Sequence, residues 1–108
     1  MFQMECYLWA PHNKKYRYGQ LYIGNNFVCF RSHVPGLVSV VIPLKEVNSV
    51  EKENSPPRGN TVDDAIVFVM RNKPRENGFF FAQITDRDFM LEKLSELLSK
   101  LQARMNKS

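Results

Sequence analysis

No aspartate or glutamate occupies any of the 40 positions between Glu5 and Glu46 of this 108-residue chain, although the same stretch carries Lys14, Lys15, Arg17, Arg31 and Lys45. The other ten of the fifteen basic residues are offset by eleven acids, so the net charge of +4 arises in this one segment. A field of one sign at one end of a small barrel favours an anionic partner: a lipid headgroup, nucleic acid or an acidic peptide. Cysteine is scarce too. Cys6 and Cys29 both fall inside apolar strand patterns, which fits buried free thiols in a reducing, cytoplasmic compartment and not a secreted disulfide framework. Long apolar runs are missing. The longest, around Val38 to Ile42 and Ala65 to Met70, fall far short of the ~20 residues needed to span a bilayer. The opening Met1-Phe2-Gln3-Met4-Glu5 has neither the basic nor the apolar region of a signal peptide. Any membrane role is therefore expected to be peripheral, on intracellular membranes.

What is present is period-two alternation, repeated before Thr85 with turns between, as in half-buried antiparallel strands. The chain is long enough for one core and no second one, so residues 1–108 are expected to form a single domain. The strands fall within about residues 5–84: Cys6 to Trp9, Tyr18 to Ile23, Phe27 to Arg31, Leu37 to Ile42, Val47 to Glu51, Ala65 to Met70 and Phe79 to Ile84. Gly24-Asn25-Asn26 and Val34-Pro35-Gly36 supply turn chemistry. Pro43 should end a pairing or sit at a sheet edge. Ala10 to Tyr16 reads as a loop, and Asn54 to Asp64 as the longest surface loop. From Asp86 to about residue 102 the period becomes helical. Met90, Leu94, Leu97, Leu98, Leu101 and Met105 lie on one stripe, and Thr85 is the expected N-cap. Such a helix must lay its stripe on the open end of the rolled sheet.

Particular residues sharpen this pattern. Leu8-Trp9-Ala10-Pro11, Tyr18-Gly19-Gln20-Leu21-Tyr22-Ile23, Asn26-Phe27-Val28-Cys29-Phe30 and Val41-Ile42-Pro43-Leu44-Lys45-Glu46-Val47 resemble, in that order, a GRAM domain of the pleckstrin-homology superfold. The resemblance implies a mainly β fold with a C-terminal α-helix: a PH-like seven-stranded antiparallel β-barrel or sandwich capped by one helix. More narrowly, Val50-Glu51-Lys52 and Asp86-Arg87-Asp88-Phe89 resemble the GRAM domains of large TBC-type Rab GTPase-activating proteins. That implies a noncatalytic module whose parent meets a Rab GTPase through a TBC domain absent from this chain. Tyr18-Gly19-Gln20 matches a TBC glutamine pattern by letters alone, and no arginine-finger motif accompanies it.

Lys15-Tyr16-Arg17 has the Lys-x-Arg form that, in pleckstrin-homology domains, clamps inositol phosphates beside the first hairpin. Residues two apart on a strand face the same side, and arginine adds a bidentate fork to the lysine's point charge. Lys14 joins them from the loop. The resemblance places the loops after the third and sixth strands near the same mouth, adding Arg31 and His33, then Arg71, Lys73 and Arg75 as headgroup-binding candidates. The bland reading is a solvated loop that keeps an edge strand from pairing. Tyr16, Tyr18 and Tyr22 share a strand face that Trp9 extends, and cross-strand packing explains them better than partner stacking.

Other chemistries have weaker footing. Gly78-Phe79-Phe80-Phe81-Ala82-Gln83-Ile84 echoes an RNA-recognition strand, but Asn77 stands where a base-reading cation is expected, and consecutive Phe residues suit core beneath the helix. Nucleic acid is not the expected partner. Cys6, His12, Cys29 and His33 match no zinc-module spacing, so no metal is expected. Cys29 and His33 have no orienting acid between Glu5 and Glu46, and no Gly-rich phosphate loop is followed by Lys. The expectation is a nonenzymatic, cofactor-free, monomeric module that targets a Rab GTPase-activating parent to anionic lipid or a phosphoinositide. The rival is a protein-binding or intramolecular scaffold without lipid.

Overall fold

Why the strands roll up is visible in their alternation. The computed structural model describes residues 2–10, 15–34, 38–53 and 65–106, apart from the side chains of Ala10 and Asn106. The chain runs through β1 (Phe2–Ala10), β2 (Lys15–Ile23), β3 (Phe27–Ser32), β4 (Ser39–Pro43), a 3-10 turn at Leu44–Glu46 and β5 (Val47–Glu53). It continues through β6 (Ala65–Met70), a second 3-10 turn at Arg75–Asn77, β7 (Phe79–Ala82) and α1 (Arg87–Asn106). All seven strands join one antiparallel sheet in the order β4-β3-β2-β1-β7-β6-β5.

One face of every strand feeds a common core. Cys6 and Leu8 of β1, Leu21 and Ile23 of β2, Val28 and Phe30 of β3, Ile42 of β4, Val50 of β5, Phe68 of β6 and Phe81 of β7 meet Met90, Leu94 and Leu98 of α1. Each buried side chain of this size contributes about 1.5–3 kcal/mol relative to exposure. β1 is where the sheet turns. Its full length pairs with β2 from Phe2↔Ile23 to Ala10↔Lys15, whereas only Tyr7 and Leu8 pair with β7. The β5–β6–β7 half can thus swing over the other strands while α1 packs on β5, β6 and the Leu44–Glu46 turn.

The structure moves several expected boundaries. β1 begins at Phe2 and not Cys6, because Phe2 and Met4 continue the inward alternation and find partners in Ile23 and Leu21. β2 likewise starts at Lys15, which shortens the expected Ala10 to Tyr16 loop. β7 stops at Ala82, where Gln83 takes a left-handed φ of 57°. The carbonyl of Asp86 accepts the bond from Met90 N, so the N-cap position is Asp86 and not Thr85. The helix runs on to Asn106, and Met105 is 44% exposed, off the core stripe. Pro35 and Gly36 of the expected Val34-Pro35-Gly36 turn, and all of the expected Asn54 to Asp64 loop, lie outside the described residues.

The phenylalanines of β7 also depart from the expectation of core beneath the helix. Phe81 enters the main core, but Phe80 faces the other way, into a second cluster with Val67, Val69 and the partly buried Trp9. β6 is consequently buried on both faces from Ala65 to Val69.

Candidate functional site at the end of the first hairpin

Alternation along β2 assigns Arg17 to the inward row, since it shares parity with Leu21 and Ile23 and lies opposite the core residue Leu8. Lys15, exposed, precedes it on the same face. The Nε of Arg17 is buried and has no hydrogen-bond partner among the described residues. A buried guanidinium donor without an acceptor is uncommon and costly. Such a group leaves a charged donor open to an acceptor at the end of the first hairpin, and Lys15 lies on the same row. Lys14 lies outside the described residues.

Gly19 makes room on this row. A Cβ there would sit 2.6 Å from the Phe30 ring and 2.7 Å from Ser32 Cα, so only glycine lets β3 press its aromatic side chain against β2. Ser32, buried at the end of β3, ties Val34 to Val38. Its hydroxyl donates to Val34 O at 2.7 Å and accepts from Val38 N at 3.1 Å.

The remaining candidates do not all join Lys15 and Arg17. Arg31 is exposed on the opposite face of the sheet, in register with Gln20 and Ser39. His33 is on that outer face as well: its ring stacks on Tyr18 at 4.8 Å and its Nε2 lies 3.8 Å from a Glu5 oxygen. Tyr18 in turn donates to Glu5, which pushes its phenol pKa up. Arg71 donates from Nε to Lys45 O at 2.9 Å, beside the Leu44–Glu46 turn, and Lys73 is exposed. Arg75 is held by two carboxylates, Glu51 at 2.9 Å and Glu53 at 2.5 Å, with Lys52 O at 3.0 Å. Glu53 lies close enough to Tyr16 to help burial raise that phenol to about 12. Arg75 therefore reaches this end of the sheet, but with its charge already answered.

The outer face of the first hairpin is an aromatic ladder. Trp9 packs on Tyr16 with ring centroids 5.1 Å apart and Tyr7 on Tyr18 at 4.9 Å, each pair directly opposite in register. These rings serve one another across strands, as expected. Cys6 points inward and Cys29 lies on the outer row, so the two thiols cannot share an ion. The Glu5 contacts were not foreseen. Their signal was the placement of Glu5 two residues before Tyr7, on the outward parity of β1.

A seven-stranded antiparallel sheet closed by one C-terminal helix, with a Gly-apolar second strand and a Cys-Phe third strand, is now in view. The sequence model of the GRAM domain matches residues 2–103. This chain belongs to the GRAM domain family. The domain is similar to part of the sterol 3-beta-glucosyltransferase of Neurospora crassa, 38% identical over 72 residues, which is 66% of this chain and 4% of that enzyme. With the sterol 3-beta-glucosyltransferase of Pichia angusta it shares 33% identity over 87 residues, 77% of this chain and 7% of the enzyme. The GRAM domain thus spans a small fraction of the curated relatives it matches. In fold it is similar to the C-terminal domain of an unknown protein from Leishmania infantum, with a TM-score of 0.72 at 17% identity, covering 91% of this chain and 82% of that one. No helix among the described residues is long and apolar enough to cross a membrane.

Proposed function

We propose that this GRAM domain is a noncatalytic module that docks its parent protein on an anionic membrane surface, with Lys15 and Arg17 meeting a lipid phosphate. The observation that carries the reading is the buried, unpartnered Nε of Arg17. An incoming phosphate supplies the missing acceptor, and the guanidinium fork binds it in two-point fashion. The surrounding acid-free segment adds attraction of about 1 kcal/mol per basic residue near the surface. Arg31 and His33, on the other face of the sheet, contribute to this field at most at longer range, and Arg75 contributes little while Glu51 and Glu53 hold it.

The parent is a separate matter. A TBC-type Rab GTPase-activating protein rests on the short matches at Val50–Lys52 and Asp86–Phe89, and the relatives reported above lend it no support. They favour a parent that, like them, acts on a sterol, itself a membrane component. Docking serves either parent.

Co-sedimentation with vesicles of phosphatidylcholine alone, or with added phosphatidylserine or phosphoinositide, tests the reading. The wild type should pellet with the anionic vesicles at low salt, and the Lys15→Glu/Arg17→Glu double variant should lose at least about tenfold in partitioning. A wild type that stays in the supernatant at low salt sinks the lipid reading and leaves the scaffold role.

A further inference from the structure

A second surface, unrelated to Arg17, lies at the β4 edge. β4 ends the sheet, and no strand among the described residues pairs with its outer side. Which backbone groups it leaves open follows from the ladder. Ser32 N donates to Val38 O at 3.0 Å and Leu44 N to Asn26 O at 2.9 Å, on the same register that sets Phe30 opposite Val40 and Val28 opposite Ile42. Hydrogen-bonded pairs in an antiparallel ladder recur at every second residue, so the even-numbered residues of β4 spend their groups on β3. Ser39, Val41 and Pro43 turn theirs to the open edge. Because Pro43 has no N–H, the edge offers the amides of Ser39 and Val41 and the carbonyls of all three residues.

The side chains around that edge define a partner. On the outer face, Val41 is 60% exposed and Phe27, opposite Pro43, is 51% exposed. Cys29 and Tyr22 continue the apolar row inward from Val41. Arg31 stands behind the small Ser39, long enough to reach across it, and its guanidinium has no partner among the described residues. Lys45 follows just beyond Pro43, and β3 and β4 carry no acid. A second copy of this chain would bring its own cations against Arg31 and Lys45. An acidic segment brings the complement.

We propose that the β4 edge binds an extended acidic-apolar peptide segment of a partner protein as an added strand. Its pattern is an acid opposite Ser39, answering Arg31, with apolar side chains two and four residues on, over Val41 and against Phe27. Pro43 limits the pairing to this short frame and keeps the edge from open-ended association.

The test is an NMR titration of the 108-residue chain with a capped peptide of sequence Glu-Ser-Val-Thr-Val, beside a Lys-for-Glu control. The proposal expects the Ser39 and Val41 amides to shift and to exchange more slowly. Val41→Pro removes an N–H that faces the open edge and not the ladder, so the fold tolerates it, and affinity should fall by about tenfold or more for the lost pairing. Should that variant fail to fold, Arg31→Glu carries the same question through charge, with a fall of about fivefold. Four outcomes overturn the proposal: no perturbation of Ser39 and Val41 at millimolar peptide, equal binding of the Lys-for-Glu control, concentration-dependent dimerisation through the edge, or perturbation of these amides by anionic vesicles and not by peptide.

Discussion

Arg17 sits where an apolar side chain would be more stable. Its Nε is buried without an acceptor, so Arg17→Met should raise unfolding free energy by about 1 kcal/mol in urea titrations while abolishing vesicle binding. A variant that loses stability and keeps binding would show that the guanidinium serves the fold. Gly19 is the opposite case. With the Phe30 ring 2.6 Å from where a Cβ would be, Gly19→Ala should cost about 1–3 kcal/mol by overpacking, read as a lower urea midpoint. That Lys15 and Arg17 share a face was legible in the sequence, because period-two spacing alone puts them there. Arg75 was not, since its capture depends on Glu51 and Glu53, more than twenty residues away, which alternation cannot bring together.

At the scale of the element, α1 divides into a half that closes the core and a tail that leaves it. Leu94 is 1% exposed and packed among core side chains, so Leu94→Ala should destabilise by about 2–5 kcal/mol. The helical stripe was readable from Met90 to Leu101, but periodicity continues to Met105, which is 44% exposed and outside the core cluster. Strand limits failed for a related reason. Phe2 and Met4 alternate as well as Cys6 and Leu8 do, yet whether they pair depends on how far β2 extends to meet them. Phe80 and Phe81 could not be separated as core from cover without knowing that Trp9 lies over the outer face of β7.

For the whole molecule, titration marks the limits of stability. Burial raises the Cys6 thiol from 9.0 to about 12, and burial with the nearby Glu53 raises the Tyr16 phenol from 10.0 to about 12. Both groups hold their protons more tightly when folded, so their contribution is fully present below pH 9 and is lost as pH rises toward 12. For Cys6 the loss is on the order of 4 kcal/mol. Urea unfolding between pH 8 and 12 should show a falling limb, and Cys6→Ala should make it shallower while lowering the neutral-pH plateau. An unchanged slope would mean that the thiolate forms without opening the core. On the acid side, Glu51, bonded to Ser49 and Arg75, and Asp88, bonded to Lys52, both titrate below their ordinary values. Their contribution is present above pH 4.5 and fades as pH falls below it, weakly, because both are exposed.

The chain has a single tryptophan, and its indole rests on Tyr16, the residue between the two cations proposed to meet phosphate. The protein therefore carries its own optical gauge. Emission from Trp9 should change when a headgroup settles on Arg17 and stay constant when a peptide joins the distant β4 edge, so one unlabelled sample distinguishes the two events.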